Sequence, residues 1–288
     1  MHGEQKLCST SNSYIELLKD CLTASLYDES AWWLIEGSRT AEEKTLRHPL
    51  RFVSGLIRHW VVSLCRRRSL LLVRERPFEP VMRAEGRDWP CFGYTMVGRQ
   101  RLDNIQTCIE DILRNNVPGD LIETGAWRGG TVIFMRAVLK EHGVTDRTVW
   151  VADSFEGLPP PASDTDGADL SQLKYLKVPL KKVKANFERF NLLDDQVRFL
   201  QGYFCDTLPN APIERLAILR LDGDLYSSTI DSLRNLYHRV SLGGYVIVDD
   251  YYSWDSCRQA VTDFLRENHI DAQIRAIADG AYWKVGGF

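Results

Sequence analysis

The stretch LAILRLDGDLYSS, residues 216–228, decides how the chain folds. Leu216 to Leu219 read as a buried strand, and the run then ends in two carboxylates, Asp222 and Asp224, on either side of Gly223. Asp and Gly are common turn residues, so the plain reading is a turn that stops the strand. Two like charges this close repel, and a cation between them removes the conflict.

From residue 120 onward the same grammar repeats. The short apolar runs DLIE, TVWVAD, VRFLQG, LAILRLD and GYVIVDD alternate with the amphipathic stretches GTVIFMRAVLKEHG, STIDSLRNLYHRV and SCRQAVTDFLREN. Continuous apolar strands separated by helices predict a parallel sheet covered on both faces, a doubly wound α/β domain. Ligands of such sheets bind at the carboxyl ends of the strands. Those ends here read Glu123, Asp153, Asp222 with Asp224, and Asp249 with Asp250, so four of the five runs finish in acid.

Residues 13 to about 115 read mainly helical, which divides the chain into an N-terminal helical region, 1–90, and a sheet domain, 91–288. Within the first, residues 47–76 carry eight arginines and one acid, and Phe52, Val53, Leu56, Ile57, Trp60 and Leu64 share a helical face. Such a helix suits an anionic membrane surface, but a helix packed on its own domain or on a second subunit is the favoured reading.

Composition narrows the function. A hydrophobic content of 44%, a charged content of 26% and a net charge of -3 describe an ordinary globular protein, with no global field to gather nucleic acid. Seven cysteines without a CxxC pair fit reduced thiols of the cytoplasm better than a zinc site or a disulfide framework. The opening residues carry no secretory pattern, and no run of ~18 uncharged apolar residues exists to span a bilayer.

DLIETGAWRGGT reads as a strand, an acid, and a glycine-rich turn entering a helix, with Gly125, Gly129 and Gly130 letting backbone approach a ligand. Asp153 ends the next strand, where an acid can accept hydrogen bonds from ribose hydroxyls. The turn lacks GxGxxG, and Glu123 would repel a pyrophosphate, which disfavours a nicotinamide-dependent oxidoreductase. An adenosine ligand that also carries positive charge, such as S-adenosylmethionine, fits better. Asp222, Asp249 and Asp250 form an all-oxygen donor set for a hard dication, Mg²⁺ before Mn²⁺ or Ca²⁺, with Asp224 free as a general base. Tyr226, Tyr251, Tyr252 and Trp254 suit a ring-shaped acceptor, or equally a core.

TMVGRQRLDNI, DLIETGAWRGG, VADSFEGLP, LRLDGDLYSST and GGYVIVDDYYSW, in this order, resemble the macrocin O-methyltransferase (TylF-like) family, from about residue 90 to the C-terminus and more loosely over 13–40. The arginine-rich insert stands outside that pattern. The resemblance implies a class I methyltransferase fold with a Rossmann-like, mainly parallel seven-stranded sheet. It also implies an S-adenosylmethionine donor, Mg²⁺, a homodimer, and methylation of a hydroxyl on a glycosylated natural product. Alternatives are a polysaccharide or glycolipid sugar as acceptor, or a non-catalytic or membrane-peripheral binder of an adenosine ligand. By motif, Glu123, Thr124, Gly125, Ala126 and Trp127 hold the methionine part, Asp153, Ser154 and Phe155 the ribose side, and Asp206 further donor contacts. Thr95 and Met96 close over the donor, Asp222, Asp249 and Asp250 bind the metal, and Asp224 is the base. EGLPPPASDTDGADLSQLKYLKVP resembles a mobile cover over donor and acceptor.

Overall fold

The computed structural model describes residues 11–26, 31–34, 60, 61, 63–65, 68, 73–76, 78–88, 92–167 and 169–287. Helix α1 (Ser11–Leu22) places Ile15, Leu18 and Leu22 on one face, and all three are buried. They enter the same apolar cluster as Leu102, Ile105, Ile109 and Ile112 of α3 (Arg99–Arg114). Each such side chain stabilises the fold by roughly 1.5–3 kcal/mol. Helix α1 therefore shares the core of the sheet.

Between these helices lie β1 (Ala31–Leu34) and β2 (Val73–Arg76), paired antiparallel, and the short α2 (Pro80–Glu85). The strand pair departs from the helical reading of this region. Strands of four residues show too little periodicity to announce themselves, and the partner here lies about forty residues away. Phe52, Val53, Leu56 and Ile57 of the basic stretch lie outside the described residues, whereas Trp60 and Leu64 are exposed. Among the described residues no helix is long and apolar enough to cross a membrane.

The apolar runs become β3 (Asp120–Thr124), β4 (Val149–Asp153), β5 (Val197–Gln201), β6 (Leu216–Leu221) and β7 (Val240–Val248). They alternate with α4 (Gly130–Glu141), α5 (Leu180–Arg189), the short α6 (Phe204–Thr207), α7 (Tyr226–Leu236) and, after β7, α8 (Asp255–Glu267). Strands β8 (Arg275–Ile277) and β9 (Gly280–Lys284) close the sheet as a hairpin. The order is β5-β4-β3-β6-β7-β9-β8, parallel except at β9 and β8. α3, α4 and α5 pack on one face of this sheet, α7 and α8 on the other. The chain winds outward from β3 through β4 and β5, then returns to β6 on the opposite side. The crevice at that reversal lies at the carboxyl ends of β3 and β6, where the acids are.

Candidate active site

At the end of β3 the chain turns at Gly125, whose φ is +100°. A Cβ there would stand 1.7 Å from the carbonyl oxygen of Asp222, so only glycine lets the two motifs touch. The contact is continued by the Asp222 N–H donating to the Thr124 carbonyl at 2.9 Å and the Asp249 N–H to the Leu221 carbonyl at 2.9 Å. Trp127, Phe155 and Asp224, which follow β3, β4 and β6, hold left-handed φ values of 47°, 58° and 57°. Each such conformation costs about 1–3 kcal/mol, and clustering at strand ends that face one crevice marks a functional site.

Beneath the crevice lies Arg220 of β6, fully buried. Its Nη1 donates to Oε1 of Glu123 and, at 2.8 Å, to Oδ2 of Asp222, while its Nη2 donates to Oδ1 of Asp249. Arg101 of α3 donates to Oδ2 of the same Asp249. Two guanidinium groups thus hold three strand-end carboxylates in place. Oε2 of Glu123 has no partner. Burial pushes this carboxyl up to about 8, against the opposing pull of the neighbouring Arg220.

Above Arg220, ligand oxygens of Asp222, Asp249 and Asp250 all lie within 4.8 Å of one another. Asp250 accepts no arginine hydrogen bond among the described residues; its Oδ2 takes the Asp224 N–H at 3.2 Å. Burial and then repulsion from the neighbouring aspartates push Asp250 well above the carboxylate range and raise Asp222 too. Asp224 is driven up to about 7, first by burial and then by Asp222, with a hydrogen bond from Trp254 opposing. Four carboxylates with too little positive charge, offering only oxygen donors, are chemistry that a hard dication completes. The residues present fit such an ion.

A cavity of about 370 Å³ opens from this cluster, within the usual range for a small-molecule site. Met96, Gly125, Trp127, Asp153, Ser154, Asp222 and Asp224, all singled out in the sequence, line it. Asp153 accepts N–H groups of Ala126 and Trp127 on Oδ2 and of Phe155 on Oδ1, at 2.6–3.1 Å. Ser154 is a further hydrogen-bond partner of this carboxylate. Leu158, Pro159, Pro160, Ala162 and Leu176 of the expected cover form an apolar wall, faced by Tyr203, Phe204 and Cys205 and by Ser227, Ser228 and Asp231 of α7.

Other expected residues lie behind this lining. Glu123, Thr124 and Ala126 are buried, and Thr124 Oγ1 turns to the Arg220 carbonyl. Thr95 Oγ1 accepts the Val97 N–H, and Phe155 belongs to the core. Asp206 is exposed on α6, beside the lining residues Phe204 and Cys205. Tyr226, Tyr251 and Trp254 pack against the second core, and Tyr252 is exposed. Sequence reasoning missed Arg220, although an arginine inside the apolar run LAILRLD was its visible signal. Arg101 gave none, because its partner is 148 residues away.

The model of the macrocin-O-methyltransferase (TylF) family matches residues 11–285. The chain belongs to that family. The match begins well before residue 90 and so takes in the N-terminal helix that shares the core. Among TylF relatives, the chain is 56% identical over 205 residues to 8-demethyl-8-(2,3-dimethoxy-alpha-L-rhamnosyl)-tetracenomycin-C 4'-O-methyltransferase of Streptomyces olivaceus, covering 69% of this chain and 78% of that one. It is 51% identical over 217 residues to demethyldecarbamoylnovobiocin O-methyltransferase of Streptomyces niveus, covering 73% and 83%. The solved structure of the O-methyltransferase NovP superposes with a TM-score of 0.78 at 42% identity, covering 96% of this chain and 99% of that one. The protein is accordingly a class I, S-adenosylmethionine-dependent O-methyltransferase.

Proposed function

We propose that this TylF enzyme methylates a sugar hydroxyl of a glycosylated natural product, with Mg²⁺ held by Asp222, Asp249 and Asp250 and Asp224 as general base. The observation that carries the reading is the convergence of those three aspartates beside Asp224, whose own carboxyl is raised by burial. The choice of acceptor is supported by the relative named for 4'-O-methylation of a rhamnosyl tetracenomycin C, and by the mycinamicin III 3''-O-methyltransferase of Micromonospora griseorubida, 47% identical over 221 residues.

The donor lies between Asp153, which takes its ribose hydroxyls, and the strand-end cluster, which faces its reactive end. A dication at the three aspartates supplies positive charge that eases deprotonation of an acceptor hydroxyl. Asp224 receives that proton as the acceptor oxygen forms its bond to the methyl carbon and the carbon–sulfur bond breaks, the electron pair remaining on sulfur. Burial raises the Asp224 carboxyl above the ordinary carboxylate value of about 4, which strengthens it as a proton acceptor. Arg220 and Arg101 fix the ligand carboxylates, and the apolar cover keeps water out.

Incubation of the purified protein with labelled donor and a panel of glycosylated aromatic and macrolide compounds tests the reading. Transfer that stops in EDTA and returns with Mg²⁺ is expected; full activity in EDTA overturns the metal assignment. The same preparation, sized by light scattering, tests the dimer that the family resemblance implies.

A further inference from the structure

Helix α7 begins two residues after Asp224, and it begins without a cap of its own. Its N-cap residue is Leu225, which has no side-chain oxygen to offer the open N–H groups of the first turn. The acceptor comes instead from Asp166, 61 residues earlier in the chain: its Oδ1 takes the Ser227 N–H at 2.6 Å. Asp166 is 1% exposed, and its other oxygen takes the Ala162 N–H at 2.6 Å. A charged acceptor at a helix N-terminus is favoured by the helix dipole as well as by the hydrogen bond.

Asp166 lies on a single 3₁₀ turn, Asp164–Asp166, within the cover segment whose Leu158, Pro159 and Leu176 wall the cavity. A second tie holds the far end of that segment, where the Trp127 indole N–H donates to the Tyr175 carbonyl at 2.8 Å. The cover is thus fastened to the glycine turn through Trp127 and to the base-bearing loop through Asp166. Between Asp224 and Ser227 the chain is short and held, since the Asp224 N–H is given to Asp250 and the Asp224 carbonyl receives the Ser256 hydroxyl at 3.2 Å.

We infer that Asp166 is a positioning residue for methyl transfer, a latch through which closure of the 156–179 cover caps α7 and steadies the loop that carries Asp224. The inference rests on the methyltransferase reading of the site, but the latch itself is a statement about one intramolecular contact. It predicts that the cover and the start of α7 are ordered together and released together.

Trypsin cleavage at Lys174 and Lys177 reports the cover directly, with S-adenosylhomocysteine as the probe ligand. In Asp166→Ala the cover is expected to be cut about tenfold faster than in the wild type, because cleavage follows the population of the open form. S-adenosylhomocysteine affinity should weaken by a similar factor, while Mn²⁺ binding at the aspartate cluster stays within about twofold and the melting temperature shifts only slightly. Asp166→Asn, which keeps one acceptor oxygen, should recover part of the protection. With an active acceptor in hand, the split between kcat and KM adds a functional reading: loss of the latch should lower kcat, since Asp224 is less well placed, more than it raises the acceptor KM. Unchanged cleavage in Asp166→Ala overturns the latch, and so does uniform cleavage throughout the chain with a large drop in melting temperature, which makes Asp166 a stabiliser of the fold alone. Neither outcome bears on the role of Asp224, which its own substitution tests.

Discussion

The backbone N–H of Asp224 donates to Oδ2 of Asp250 at 3.2 Å, joining the acid pair after β6 to the acid pair after β7. This bond comes from the main chain and is independent of the Asp224 side chain, so Asp224→Asn should leave the loop and the donor site as they are. Its kcat is expected to fall about 10²- to 10⁴-fold, the usual contribution of a positioned base. Calorimetry with S-adenosylhomocysteine should give the wild-type affinity. Near-wild-type turnover removes Asp224 from the role of base.

The raised carboxyl of Asp224 makes stability depend on pH and on metal together. A group pushed up to about 7 from its ordinary value stabilises the fold while protonated, and that contribution is lost as pH rises through about 7. Glu123, pushed up to about 8, acts in the same direction. The metal-free protein should therefore lose melting temperature between about pH 5 and about pH 8, and Mg²⁺ should restore it increasingly toward the alkaline end. Thermal scans in EDTA and in Mg²⁺ check this; a metal-induced shift of equal size at every pH contradicts it.

Removing Arg220 leaves Glu123, Asp222 and Asp249 without their shared guanidinium in a buried setting. Arg220→Met should lower the unfolding free energy by about 3–5 kcal/mol in urea titration. Arg220→Lys should recover little, since one ammonium cannot present the planar fork that reaches three carboxylates. A loss below ~1 kcal/mol in the Met variant means the network is not the support described.

Gly125→Ala addresses the contact between the glycine turn and Asp222. With φ at +100° and the added methyl overlapping the Asp222 carbonyl oxygen, the two strand ends must separate. Donor affinity should fall at least about tenfold, and the local strain should cost about 1–3 kcal/mol of stability. Binding of S-adenosylhomocysteine by the variant at wild-type strength contradicts this reading of the turn.

The strands that carry the site were readable because each is buried on both faces and so appears as an unbroken apolar run ending in acid, as in LAILRLD and GYVIVDD. The placement of Asp153, Asp222 and Asp224 on one cavity followed from the winding of the sheet alone. What stayed hidden depended on partners distant in the chain. Val73–Arg76 takes its strand conformation from Ala31–Leu34, Arg101 meets Asp249 across 148 residues, and Asp166 meets Ser227 across 61. Trp254, grouped in the sequence with residues suited to an acceptor, hydrogen-bonds Asp224 instead. Periodicity reports how a segment meets water and core; it carries no record of which remote backbone group a polar atom will find.

In the parallel pairing of β3 with β6, Glu123 stands directly opposite Arg220. A slip of one residue would turn one member of the pair to the other side of the pleat, stranding bare charge among aliphatic neighbours at a cost of several kcal/mol. The arginine that holds the strand-end carboxylates also proofreads assembly, since only the correctly aligned sheet neutralises it. Substitutions at Arg220 should accordingly surface as slow or misassembled refolding even under conditions where catalysis is not being assayed.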